Sequence, residues 1–287
     1  MTDKKIPFVG LHAHSVAGSI FDAIGYPDEH MDFCYENGGE ALALTDHGNM
    51  NGFSHQFLHW KKMKAEGKDF KPIFGVEAYF LPSIEEWQEE YDRIKADAKL
   101  AKTLAKAGDT SGATVEDEEA SKKAVKSVIN RRRHLVLLAQ NQTGLNNLFK
   151  LISESYREEN FYRYPRVDYK LLDKYSEGVI ASSACLGGPY AGNYWANREE
   201  GPEAVMDAMR ETSRRFVEIF GDRWYGELQW NNIPEQHELN QYIIKVCKEF
   251  DITLISTADS HYPNTEAWKD RELYKRLGWL GKGTPAW

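Results

Sequence analysis

Two short segments of this 287-residue chain carry metal-ligand residue types two positions apart: His12-Ala13-His14 and Asp259-Ser260-His261. Side chains on a strand alternate between faces, so both members of each pair point the same way. Two neighbouring imidazoles suit a divalent transition metal. Glu77 and Asp22 add hard oxygen donors, and His47 follows Asp46 at the end of another apolar run. Asp46 suits a carboxylate that orients a ligand rather than one that binds metal itself. Cys185 alone reads first as a small buried apolar residue. His134 precedes its apolar run, which puts it on a loop or at a strand's opening. His30, His55, His59 and His237 fit no such position and read as packing or surface residues.

The bland reading of each residue fails for the set. Carboxylates and imidazoles gathered at one edge would repel or stay desolvated without a compensating charge, and bound cations supply it. Nine candidate ligands are too many for one ion, which takes about four to six, so two or three metals are expected.

The elements that must position these groups are seven apolar runs of strand length: 7–14, 41–47, 72–80, 134–140, 178–184, 224–230 and 253–262. Helical spacing lies between them, at Leu145, Leu148, Phe149, Ile152 and Tyr156, and at Leu239, Tyr242, Ile243, Val246 and Phe250. The stretch 203–220 has Pro202 at its start and Gly221 past its end, the usual helix punctuation. Alternating strands and helices predict a mostly parallel sheet, open or closed into a barrel, and such sheets collect functional groups at the carboxyl ends of their strands. Residues 85–133 break the rhythm with 11 acidic and 11 basic side chains and a turn-like segment at 109–114. They read as an inserted, solvated helical hairpin. Arg131-Arg132-Arg133 within it could touch phosphate.

Composition narrows the function classes. The net charge of −8 argues against a protein that coats nucleic acid. No apolar run approaches the length of a membrane span, and the start lacks a secretory signal. Three widely spaced cysteines suit a reducing compartment, so a cytoplasmic location is expected, bacterial or in the host of a virus. The last residues, 281–287, read like a chain that continues.

The ordered motifs resemble the PHP (polymerase and histidinol phosphatase) domain, in the branch found in bacterial-type replicative DNA polymerases of the C family. The matching segments are Leu-His-Ala-His-Ser (11–15), Ser-Ile-Phe-Asp (19–22), Ala-Leu-Thr-Asp-His-Gly-Asn-Met-Asn-Gly (43–52) and Lys-Pro-Ile-Phe-Gly-Val-Glu-Ala-Tyr (71–79). They continue with His-Leu-Val-Leu-Leu-Ala-Gln-Asn (134–141), Gly-Leu-Asn-Asn-Leu (144–148), Ser-Ala-Cys-Leu-Gly-Gly (183–188) and Thr-Ala-Asp-Ser-His-Tyr (257–262).

The resemblance implies a distorted (β/α)7 TIM-like barrel, with residues 1–287 as a single PHP domain carrying the charged insertion and with the polymerase domains absent. It implies nine metal ligands: His12, His14, Asp22, His47, Glu77, His134, Cys185, Asp259 and His261. The implied activity is metal-dependent phosphoester hydrolysis, as a proofreading 3′→5′ exonuclease. Two or three ions of zinc, manganese or iron, in preference to magnesium, would activate a hydroxide for attack on the phosphodiester. Three such ions and a Cys185 thiolate would bring the net charge to about −3. The implied partners are a DNA 3′ end, the remaining polymerase polypeptide and replisome proteins, with no membrane. Lys71, Asn49 and Tyr262 are the nearest phosphate-gripping candidates. The competing readings are a metal-stabilised structural domain without turnover and a small-molecule phosphatase or pyrophosphatase.

Overall fold

The computed structural model describes residues 8–106 and 131–280, together with 120, 123–125, 127 and 128. In chain order the strands are β1 (Phe8–Gly10), β2 (Gly39–Leu44), β3 (Lys71–Phe80), β4 (Arg133–Ala139), β5 (Phe161–Tyr162), β6 (Tyr164–Val167), β7 (Val179–Ser182), β8 (Trp224–Gln229) and β9 (Thr253–Thr257). The helices are α1 (Pro27–Glu36), α2 (Phe53–Ala65), α3 (Ile84–Lys106), α4 (Gln142–Ser155), α5 (Tyr169–Tyr175), α6 (Pro189–Asn197), α7 (Pro202–Phe220), α8 (Pro234–Glu249) and α9 (Trp268–Trp279).

Seven strands, in the order β1-β2-β3-β4-β7-β8-β9, form a nearly closed barrel. A lone parallel bridge between Ala13 and Ser260 joins its two ends, where His14 N donates to Ser260 O at 2.7 Å. Each of the seven expected runs overlaps one of these strands. The first and last are shorter than expected, because residues 11–14 and 258–262 leave the ladder and turn to the rim. The small β5–β6 hairpin, which pairs with β3, had no apolar run to announce it.

The parallel expectation needs one correction. β4 runs antiparallel to both its neighbours, β3 and β7. The chain between β3 and β4 therefore returns β4 to the sheet reversed. This places His134, at the start of β4, on the rim that the other strands reach with their carboxyl ends. It resolves why that histidine precedes its apolar run.

Helix α3 begins the charged stretch and is solvated only on one side. Trp87 and Tyr91 stack at 5.1 Å and are buried with Leu81, Ile84 and Val128. The Trp87 indole donates to Val128 O, and the Arg166 guanidinium lies 3.9 Å from its ring centroid. The expected turn at 109–114 lies outside the described residues.

The main core fills the space between the barrel and α4 to α8. On α7, Val205, Met206, Met209, Phe216 and Phe220 recur at helical spacing and are buried, which is why this segment is a helix seated on the sheet. Phe216 stacks on Trp224 of β8 at 4.2 Å. Among the described residues no helix is long and apolar enough to cross a membrane.

Candidate metal centre

Six of the seven barrel strands bring the expected groups to one rim. His12 and His14 follow β1, Asp46 and His47 follow β2, Glu77 lies on β3 and His134 on β4, Cys185 follows β7, and Asp259 and His261 follow β9. Asp22 comes from the loop before α1. The nine expected ligands converge. His12 Nε2 lies 3.3 Å from both Glu77 Oε1 and Asp259 Oδ1, and His14 Nε2 lies 3.1 Å from the same Asp259 oxygen. His47 reaches Glu77 Oε2 with Nδ1 at 2.5 Å and Asp22 Oδ2 with Nε2 at 2.9 Å. His261 Nε2 is 3.2 Å from Asp22 Oδ2. His134 Nδ1 faces Glu77 Oε1 at 3.1 Å and Cys185 Sγ at 3.5 Å.

Three overlapping triads have donor atoms within 4.8 Å of one another: His14, His47 and His261; His12, His14 and Glu77; His47, Glu77 and His134. Glu77, with no measurable exposure, belongs to two of them.

The backbone is bent to make this convergence. Phe21, Ala184 and Asp259 hold positive φ angles of 63°, 55° and 51°, each at or beside a ligand candidate. Left-handed backbone at residues with a side chain costs on the order of 1–3 kcal/mol each and persists where the surroundings impose it. After Cys185 the chain folds so tightly that a Cβ on Gly188 would stand 1.9 Å from Ser183 O. Gly187 N meanwhile donates to Cys185 Sγ at 3.4 Å.

On His12 and His47 protons stand in for positive charge. Burial would lower His12, but Asp259 and Glu227 outweigh it and hold the imidazole well above its ordinary value. His47 is buried too, yet Glu77 and Asp22 raise it to about 10. His14, buried beside the charge of His47, falls to about 3. Burial disfavours the Glu77 carboxylate, and His134 and His47 nonetheless hold it well below the usual range. The Cys185 thiol is pushed far up by burial and by Glu77 and Asp259. Despite this crowding, His12 Nε2, His47 Nδ1 and Glu77 Oε2 are buried and make no hydrogen bond. They meet as ion pairs, His47 Nδ1 with Glu77 Oε2 and His12 Nε2 with Glu77 Oε1, and their donor types fit a divalent cation.

Asp46 faces away from the cluster. Its carboxylate accepts from Ser15 N, Ser15 Oγ and Ser19 Oγ at 2.7–2.8 Å. Ser19 Oγ in turn lies 3.3 Å from His14 Nδ1 and accepts from His47 N. Asp46 thus acts on the histidines through Ser19. Of the phosphate candidates, Asn49 spends its amide on Gly18 O and His47 O, and Lys71 sits six residues before Glu77 at the far start of β3.

Two residues were missed. Glu227, buried in the middle of β8, accepts from His12 Nδ1 at 2.6 Å, Thr257 Oγ1 at 2.6 Å and Ser182 Oγ at 2.5 Å. A lone glutamate inside the apolar run 224–230 was the available signal. Arg271 on α9 donates to Asp22 O and Oδ1 at 2.7 and 2.8 Å. No local pattern links residues so far apart in sequence.

Residues 10–231 match the PHP domain family. This chain belongs to the PHP domain family. It is 39% identical over 259 residues to DNA polymerase III subunit alpha of Aquifex aeolicus, which covers 90% of this chain and 18% of that protein. The Borreliella burgdorferi subunit is 34% identical over 271 residues, 94% of this chain and 19% of the relative. The chain thus spans about a fifth of the length of the curated relatives it matches. A solved structure assigned as a metal-dependent phosphoesterase from Bifidobacterium adolescentis aligns over 93% of this PHP chain and 97% of its own, at 13% identity and a TM-score of 0.43.

Proposed function

We propose that this PHP domain is a metal-dependent phosphodiesterase that shortens DNA from its 3′ end, as the nuclease portion of a polymerase polypeptide of the DNA polymerase III alpha kind. The observation that carries the reading is the convergence of nine ligand types around buried Glu77, where His12 Nε2, His47 Nδ1 and Glu77 Oε2 stand in ion-pair reach of one another's groups without forming a hydrogen bond. His12, His14, Asp22, His47, Glu77, His134, Cys185, Asp259 and His261 would hold two or three ions of zinc, manganese or iron. Such ions lower the pKa of a water toward neutrality and neutralise charge on a transferring phosphoryl group.

The chain's own residues prepare the site. Glu227 takes the Nδ1 proton of His12, which leaves Nε2 facing inward as a lone-pair donor. Ser19, held by Asp46, does the same for His14. Glu77 presents one oxygen toward His12 and His134 and the other toward His47, so either oxygen would be placed to help hold an ion. Arg271 fixes the Asp22 carboxylate that faces His47 and His261.

The test is a primer labelled at its 5′ end, incubated with manganese, with zinc or with neither. A ladder of shortened products that the His12→Ala, Asp259→Ala double variant does not make supports the reading. No shortening with metal retained would favour a structural metal domain. Phosphate release from histidinol phosphate or pyrophosphate would favour a small-molecule phosphatase.

A further inference from the structure

The basic triplet at 131–133 splits into three different environments. Arg131 pairs with Glu90 at 2.5 Å. Arg133 opens β4 and packs its guanidinium against Gly192. Arg132 alone of the three lies over aromatic rings, its guanidinium carbon 3.8 Å from the Tyr164 centroid and 5.3 Å from that of Tyr79. Its Nε is buried without a hydrogen-bond partner, and no carboxylate pairs with it among the described residues.

This stack adjoins the metal centre. The Tyr79 ring lies parallel to His47 at 6.2 Å and meets His134 edge-on at 5.7 Å. Tyr164 stands 5.1 Å from Tyr79 on the β5–β6 hairpin. The loop that carries His47 is seated on the same ledge: a Cβ on Gly48, whose φ is +67°, would come within 2.8 Å of Pro165 and 3.0 Å of Tyr79. The ledge and the ligand histidines therefore hold a fixed register.

Stacking satisfies the face of a guanidinium, and the two Nη groups of Arg132, unlike its buried Nε, are the in-plane donors left to offer a ligand. Phosphate matches that fork with two oxygens. In a chain of net charge −8, an arginine with no carboxylate partner among the described residues, set beside the ligand cluster, is an attractor for an anion.

We propose that Arg132, held on Tyr164 and Tyr79, is a phosphate subsite for single-stranded nucleic acid and grips the backbone beside the phosphodiester placed in the metal centre. This deepens the phosphodiesterase reading and rests on it for the position of the reacting phosphate.

The test measures strand binding without turnover. A fluorescein-labelled oligothymidine with phosphorothioate linkages is titrated with manganese-loaded protein, and anisotropy is read at several salt concentrations. Arg132→Gln is expected to weaken binding about tenfold and to make the log–log salt dependence shallower by about 0.7, the value of one single-strand phosphate contact. Arg132→Lys keeps the charge without the fork and is expected to fall between. Arg131→Gln is the neighbouring control and is expected to bind like wild type. Melting temperature and manganese content report whether Arg132→Gln is folded; should it unfold, Arg132→Lys carries the comparison. Wild-type binding in Arg132→Gln, equal loss in Arg131→Gln, or no binding by wild type would overturn the subsite. A protein that binds through Arg132 yet shortens no primer would overturn hydrolysis and leave the subsite standing.

Discussion

Two buried glutamates flank His12, and their surroundings differ in kind. Glu227 closes a network on itself: His12, Thr257, Gln229 and Ser182 all bond to its two oxygens. Glu77 faces His12, His47, His134 and the Cys185 thiol, and its Oε2 makes no hydrogen bond although His47 Nδ1 is 2.5 Å away. The first is a satisfied polar frame, stable as it stands. The second gathers donors around a point where, among the described residues, only the Cys185 thiol completes a hydrogen bond, at 3.9 Å. One carboxylate fixes geometry; the other is shaped for a cation. The same residue type, equally buried, serves either end according to whether its partners meet it in hydrogen-bonding geometry.

The comparison breaks first at Glu77. Glu77→Gln removes a donor shared by two triads. Losing an outer-shell partner of a metal ligand already costs about 10–100-fold in affinity or activity, so this loss is expected to exceed about 100-fold in primer shortening. A second readout separates the two carboxylates. Chelator is expected to lower the wild-type melting temperature and to leave Glu77→Gln unmoved. Equal chelator sensitivity in both proteins would remove Glu77 from the metal centre.

Glu227→Gln is expected to do less to the metal and more to the fold. It breaks a buried charged pair with His12, a change worth about 3–5 kcal/mol when one partner is lost. Metal affinity is expected to fall about 10–100-fold, because His12 loses the group that fixes its tautomer. The melting temperature should drop with and without chelator alike. A drop seen only in the loaded protein would place Glu227 among the ligands instead.

How much of this could be read beforehand follows from where the groups sit. His12, His14, His47, Asp259 and His261 fall just past strand ends, where an apolar run breaks into polar residues and the break is visible. Glu227 sits mid-strand, and its neighbours' alternation reads as ordinary strand. Helices announced by spacing and punctuation, such as α7, appear where expected. The direction of β4 could not be read, because period-two patterning is the same in either direction. His134 ahead of its run was the trace of that reversal. The β5–β6 hairpin, of two and four residues, is too short to carry a period, so the ledge beneath Arg132 was invisible.

Arg271 tests a looser corner of the site. Its two bonds reach Asp22, the ligand candidate on a loop rather than at a strand, whose side chain is 38% exposed. Arg271→Ala is expected to weaken the binding of one ion about tenfold, as for a charge-assisted hydrogen bond, and to leave the others in place. Metal content measured against a graded chelator series would show a single early loss. Simultaneous loss of all ions would mean that α9 holds the whole rim together rather than one carboxylate.

The smallest effect concerns a histidine outside the cluster, and it sharpens the contrast from the other side. His30 is buried like His12, but its Nε2 bonds to the Ile24 carbonyl at 3.0 Å rather than to a carboxylate. Burial lowers its pKa below the ordinary value of 6.5. A folded-state pKa below the unfolded one means that the unfolded chain takes up the proton first. The contribution of His30 to stability is therefore present above pH 6.5 and lost as the pH falls from there toward the lowered value. His12, held up by carboxylates, has the opposite sign: its contribution is full below the unfolded value and fades as the pH rises through the raised one. Melting curves of His30→Gln and wild type, both in chelator, isolate the first term. Between pH 7.5 and 5.5 the wild type is expected to lose more stability than the variant. Parallel curves would mean that His30 titrates alike in the folded and the unfolded chain, and that burial without a carboxylate is not what separates it from the cluster.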